Sequence, residues 1–141
     1  MDTDLSEFDL WVRAFAFTQA IEVPLYIAAF SWLRLQPQTV GGIARLMPLW
    51  LRAVVAFLCS LLSHPVVWFG FPRLFQMGRL ATLDPLPNYV AMVVAAEIFA
   101  VGSEAILLWA VRLRYALLVA FVINMTSMSL GFLTRYLFAW F

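Results

Sequence analysis

Apolar residues fill four long stretches of the chain, at about 8–33, 50–71, 87–111 and 115–138. A helix crosses a bilayer with about 20 mainly apolar residues, and each stretch meets that length. Polar and turn-forming residues separate them. The first connection, "RLQPQTVGGIARLMP", carries the Gly41–Gly42 pair and two prolines, all turn-forming signals. The second, "PRLFQMGRLATLDPLP", mixes apolar residues with Arg73 and Arg79, as a short amphipathic piece lying along the membrane surface would. The third, Arg112–Leu113–Arg114, is so tight that spans three and four must form an antiparallel hairpin. Trp11, Trp32, Trp50, Trp109, Tyr115, Tyr136 and Trp140 fall near span ends, where amphipathic rings anchor at the membrane interface. The pattern predicts an all-α integral membrane four-helix bundle, with residues 1–141 forming a single transmembrane domain.

Composition removes the soluble alternatives. The chain is 65% hydrophobic and 12% charged, against about 45–50% and about 25% in a soluble domain. A chain of this length cannot hide that excess, so the partner it must meet is the lipid bilayer. All nine basic residues are arginines, scattered without a block that could track phosphates, which argues against nucleic acid. The amino-terminal "MDTDLSEFDLWVR" is acidic where a signal peptide begins basic, so the first span is expected to be retained. Cys59 is the only cysteine and lies in an apolar stretch, where a buried inert thiol is expected.

Orientation follows from the arginines. The odd-numbered connections hold Arg34, Arg45, Arg52, Arg112 and Arg114; the other side holds Arg13, Arg73, Arg79 and Arg135 with Asp2, Asp4, Glu7, Asp9 and Asp84. By the positive-inside rule the odd connections are cytoplasmic and both termini periplasmic, on a margin of five arginines against four. A faint internal repeat runs alongside. Glu22 followed by an apolar run and Arg34 resembles Glu104 followed by an apolar run and Arg112; Ser60 and Ser63 match Asn124 and Ser127 at the same spacing. A duplicated two-helix hairpin, its halves related by an axis along the membrane normal, accounts for this pattern. So does the general likeness of any two apolar hairpins.

The residues that need a reason are ionisable groups inside the spans: Glu22, His64, Glu97 and Glu104. A charge at the centre of a membrane helix costs at least about 2.5–3.5 kcal/mol, and such residues face a bundle interior or a wet cavity. With about 1.5 Å of rise per residue, Glu22, His64 and Glu97 fall in one layer within a helical turn of each other. Glu104 lies about two turns further along span three, on the face of Glu97. Pro24 and Pro65 each deprive a carbonyl of its amide donor, at Ala20 and Leu61, beside Glu22 and His64. Freed carbonyls in a membrane need another partner. The repeated pairing of an ionisable group with a helix break predicts a polar cavity between spans one and two. Gln19, Tyr26, Ser60 and Ser63 would line it, with Asn124 and Ser127 contributed by span four.

Two or three glutamates with one histidine form an oxygen–nitrogen set suited to a divalent metal, although no fixed short motif such as HExxH is present. The same groups form a ladder for proton or cation transfer. In that case four spans imply a homo-oligomer. The structural alternatives stay open: His64 donating to Glu22 or Glu97, and a neutral Glu97 bonded to Asn124 or Ser127 as glue between helices. In that reading the chain is an accessory or scaffold subunit that meets partner membrane subunits. No catalytic residue is assigned: no aspartate lies in the interior of a span to complete a Ser–His–Asp set, and a b-type haem held by two histidines would need a dimer that presents His64 twice.

The segments "TQAIEVPLY", "LLSHPVVWF", "AEIFAVGSEAILL" and "NMTSMSLGF" resemble a family of small four-helix bacterial inner-membrane proteins of unknown function. The matching positions are Glu22 and Pro24, Ser63–His64–Pro65 with Trp68, Glu97 and Glu104, and Asn124, Ser127 and Gly131. Ser63 replaces a threonine of that pattern, and Ser60 stands where an asparagine is expected. The resemblance implies a bacterial inner-membrane location and supplies no activity.

Overall fold

The computed structural model describes residues 6–33, 39–40, 43–44, 47–77 and 85–138. Its helices are α1 (Glu7–Trp32), α2 (Leu49–Pro65), α3 (Phe71–Met77), α4 (Pro85–Ala110) and α5 (Ala116–Phe138). A π-helical turn, Val66–Gly70, joins α2 to α3, so the second span runs continuously over Leu49–Gln76. Among the described residues, four helical stretches are thus long and apolar enough to cross a membrane. In the first connection Thr39–Val40 (β1) pairs antiparallel with Ile43–Ala44 (β2). Gly41–Gly42, Arg34, Arg45, Arg79, Asp2, Asp4, Asp84 and Trp140 lie outside the described residues.

Local chemistry explains where the helices begin and end. α1 starts in a capping box: the Ser6 hydroxyl accepts from the Asp9 amide at 3.2 Å, and the Asp9 carboxylate accepts from the Ser6 amide at 3.2 Å. Pro24 sits inside an unbroken α1, whereas Pro65 is followed at once by the π turn. A proline without an N–H, crowding the carbonyl four residues back, loosens the helical ladder there. In the widened turn the Phe71 amide donates to the Val66 carbonyl. The helix therefore continues past the expected end at 71, and Arg73 rides on α3 rather than on a separate surface piece.

α4 closes in a Schellman motif. The Leu113 amide donates to the Leu108 carbonyl at 2.9 Å and the Arg112 amide to the Trp109 carbonyl at 2.8 Å, with Arg112 at φ 60°. Leu113 is buried, which pins the predicted tight hairpin. At the same end of the bundle Arg52 ties α2 to α1, donating to the Met47 carbonyl at 2.8 Å and to the Ser31 hydroxyl at 3.1 Å.

The helices pack in the ring order α1–α2–α4–α5, which leaves α1 and α4 across the diagonal. The buried stripe of α2 is Val55, Ala56, Cys59, Ser60 and Ser63; that of α5 is Ala116, Val119, Ala120, Ile123, Asn124 and Ser127. Both stripes are made largely of small residues, which let membrane helices approach closely. The shift that takes Ser60 onto Asn124 also takes Val55 onto Val119, Ala56 onto Ala120 and Ser63 onto Ser127, and every one of these is buried. Burial thus follows the repeat seen in the sequence. The outer faces carry Trp32, Trp50, Trp109, Tyr115 and Tyr136 exposed, as interface anchors should be. Trp11 differs, with its ring inside an aromatic cluster.

A left-handed backbone disfavours a residue with a Cβ by about 1–2 kcal/mol. Arg112→Gly is expected to raise the stability of the detergent-solubilised protein by about 1 kcal/mol. Thermal unfolding measures this, and an unchanged or lowered midpoint would contradict the assigned turn.

Candidate functional site

Glu22 on α1 and Glu104 on α4 come from diagonal helices and meet at the centre of the bundle. They are 2% and 1% exposed, so neither has solvent to satisfy it. Side chains do so instead. Glu22 accepts from the Ser60 hydroxyl on α2 and, at 2.5 Å, from the Ser127 hydroxyl on α5. Glu104 accepts from the Ser63 hydroxyl on α2 at 2.9 Å, from the Asn124 amide on α5 at 2.5 Å, and from the Tyr26 phenol on α1 at 2.5 Å.

These bonds obey a two-fold rule. Each glutamate takes the first donor of its own hairpin (Ser60 or Asn124) and the second donor of the other hairpin (Ser127 or Ser63). The rule breaks at one place: Tyr26 donates to Glu104, and its counterpart on α4 is the fully buried Leu108, which has nothing to donate to Glu22.

The pair forms the floor of a cavity of about 250 Å³. Ala14 and Thr18 on α1, and Gly131 and Arg135 on α5, line it progressively nearer the end that holds the chain termini. Phe17, Trp68 and Phe132 give it aromatic walls, and His64 and Glu97 also line it. Toward the opposite end, Tyr26, Phe30, Val55, Ala56, Leu108 and Ala120 are buried in one cluster and leave no polar path among the described residues. The cavity is one-sided.

Glu22, His64, Glu97 and Glu104 all line this one cavity. Several other expectations need correction. Asn124 and Ser127 serve Glu104 and Glu22, not Glu97, which has no hydrogen bond among the described residues. Among the described residues His64 bonds no carboxylate and its buried Nδ1 has no partner; the ring lies among Phe15 at 5.3 Å, Trp68 at 6.2 Å and Trp11 at 6.3 Å. Tyr26 lies behind the floor, not on the wall, and Gln19 turns away to donate to the Phe57 carbonyl at 3.4 Å. Ser60, Ser63, Asn124 and Ser127 do line the cavity. Among the described residues no three histidine, cysteine or carboxylate groups gather closely enough to hold a metal ion.

No protein family, curated protein or solved structure matches the chain. The chemistry must be read from the geometry. Two carboxyl groups ringed by hydroxyls and an amide offer oxygen acceptors for a small cation, and hydroxyls able to reverse their bonds when a carboxyl gains a proton.

Sequence reasoning missed the aromatic seat of His64. Its signal was Trp11 and Phe15, one turn apart on α1, with Trp68 one turn beyond the histidine.

Hydrogen bonds between membrane helices are worth about 0.6–2 kcal/mol each. Ser60→Ala and Ser127→Ala should each destabilise the bundle by about that amount. In a Glu22→Ala background both effects should vanish, because the shared acceptor is gone. A double-mutant cycle from detergent unfolding measures this, and purely additive losses would refute the bonding pattern.

Proposed function

We propose that this chain is a polytopic protein of the bacterial inner membrane that binds a small cation, most simply a proton, at Glu22 and Glu104. The cation enters from the periplasmic side, where the termini lie. The observation that carries the reading is the pair itself: two acids from diagonal helices brought to the floor of a cavity open toward one end. A bundle that needed only packing would fill this centre with Leu and Ala, as it does one turn further on at Leu108 and Ala120. Placing two acids there instead costs at least about 2.5–3.5 kcal/mol apiece when charged.

With the opposite end sealed by apolar side chains, the resting arrangement supports binding from one side. Passage to the other side requires a rearrangement of the Tyr26–Phe30 plug. A divalent metal is less well supported than a proton, since among the described residues no three ligating groups gather closely and the acid oxygens are engaged by side-chain donors. The resemblance noted in the sequence rests on these same acids, on the Ser63–His64–Pro65 turn and on Asn124 and Ser127.

One observation favours a second reading. The two acids take donors from the helices around them, so the network also works as glue, and the chain would then be an accessory or scaffold subunit of a larger assembly.

Infrared difference spectroscopy across a pH jump separates the two. Cation binding at the pair predicts a carboxyl C=O band that appears as pH falls and is lost in Glu22→Gln or Glu104→Gln. A folded bundle whose carboxyl bands do not respond at any pH would leave only the scaffold reading.

A further inference from the structure

The repeat that relates the two hairpins exposes a difference between them. The shift that takes Glu22 onto Glu104 takes Trp11 onto Val93 and Phe15 onto Glu97; the one that takes Ser60 onto Asn124 takes Phe57 onto Phe121 and His64 onto Met128. In the first hairpin these positions fill the seam between α1 and α2. Trp11 stacks on Phe15 at 5.4 Å, and Phe15 meets Phe57 edge-on at 5.9 Å and His64 at 5.3 Å. In the second hairpin Val93 and Glu97 stand in place of the Trp11 and Phe15 rings, and the α4–α5 seam carries a groove of about 480 Å³.

The groove faces outward. Val94, Ile98, Leu117 and Phe121 on its walls are exposed, and a Cβ at Gly102 would meet nothing within 4 Å. Its lining is apolar except for Glu97, the carboxylate that stands where the first hairpin has a phenyl ring. Glu97 and Met128 also line the acid cavity, so these two side chains are the partition between the groove and the Glu22–Glu104 chamber.

We infer that the α4–α5 seam is a lateral portal through which the acid cavity takes an amphiphilic organic cation, its ammonium head held at Glu97 inside the cavity and its apolar body lying in the groove. The inference deepens the cation reading of that cavity and rests on it. Charge complementarity selects the occupant. A plain lipid tail has no use for a carboxylate at mid-membrane, whereas an ammonium that reaches the polar chamber through the seam keeps its charge paired and its body in an apolar site. The aromatic bulk of the first hairpin shows how much apolar volume such a seam accepts.

Photolabelling in phosphatidylcholine nanodiscs tests this, using dodecyltrimethylammonium carrying a diazirine on its chain and the matching diazirine-bearing dodecanol as the uncharged control. The ammonium probe should label residues between 93 and 102 and between 117 and 128 about tenfold more than the alcohol, and Glu97→Gln should abolish that preference. Glu97 makes no hydrogen bond among the described residues, so its substitution spares the core. Gly102→Leu, which fills the groove and leaves the carboxylate, should suppress labelling by both probes. Equal labelling by the two probes, or indifference to Glu97→Gln, would overturn the portal in favour of ordinary lipid occupancy. Exclusion of both probes from the wild-type groove, with cross-links between copies, would overturn it in favour of a contact between protomers. Loss of charge selectivity while the infrared response of the Glu22–Glu104 pair persists removes the portal alone; loss of both removes the cation reading with it.

Discussion

A buried carboxyl group in a bilayer has no water to fall back on, and this chain places two of them at its centre. Satisfying Glu22 and Glu104 fixes how the neighbouring helices are turned. Ser60 and Ser63 must face the axis from α2, and Asn124 and Ser127 must face it from α5. Once those faces point inward, Val55, Ala56 and Cys59, and Val119, Ala120 and Ile123, go inward with them, since they lie on the same helical stripe. Bilayer lipid is as apolar as leucine and supplies no hydrophobic drive to choose one rotation over another. Here the polar groups make that choice.

From this centre the bundle becomes polar in one direction and apolar in the other. One end is closed by Tyr26, Phe30 and Leu108 beneath a hairpin held by the Schellman turn and a connection clamped by Arg52. The other end opens past His64, Glu97 and Arg135. The two hairpins repeat each other closely in the core and part company at the seams, one packed with rings and the other open to lipid. Symmetry in the buried bonds and asymmetry at the periphery are how a repeated scaffold acquires a single directed site.

The four spans were legible because length and apolarity alone define them, and the short third connection left one arrangement for the last two. The polar positions were legible as well, since serine pairs and glutamates stand out in an oily segment. Their partners were not. Which donor meets which acid depends on ring order, and α1 and α4 become diagonal neighbours only when four helices close up. Apolar helices facing lipid on one side and core on the other carry no amphipathic signature of that order. Heights along the membrane normal put Glu97 with Glu22 but carry no rotation, so they did not reveal that Glu97 also borders the outer groove beside Met128. The histidine misled because imidazole suggests a charged partner, while its neighbours at helical spacing are rings.

The crossed bonding has a bearing on biogenesis. A first hairpin leaving the insertion machinery alone could offer Glu22 only Ser60; the hydroxyl of Ser127 arrives with the last helix to be synthesised. Glu104 likewise relies on Ser63 and Tyr26 from helices made before it. Neither half is a finished membrane unit, and the polar groups of the first two helices are fully matched only when the second pair joins them.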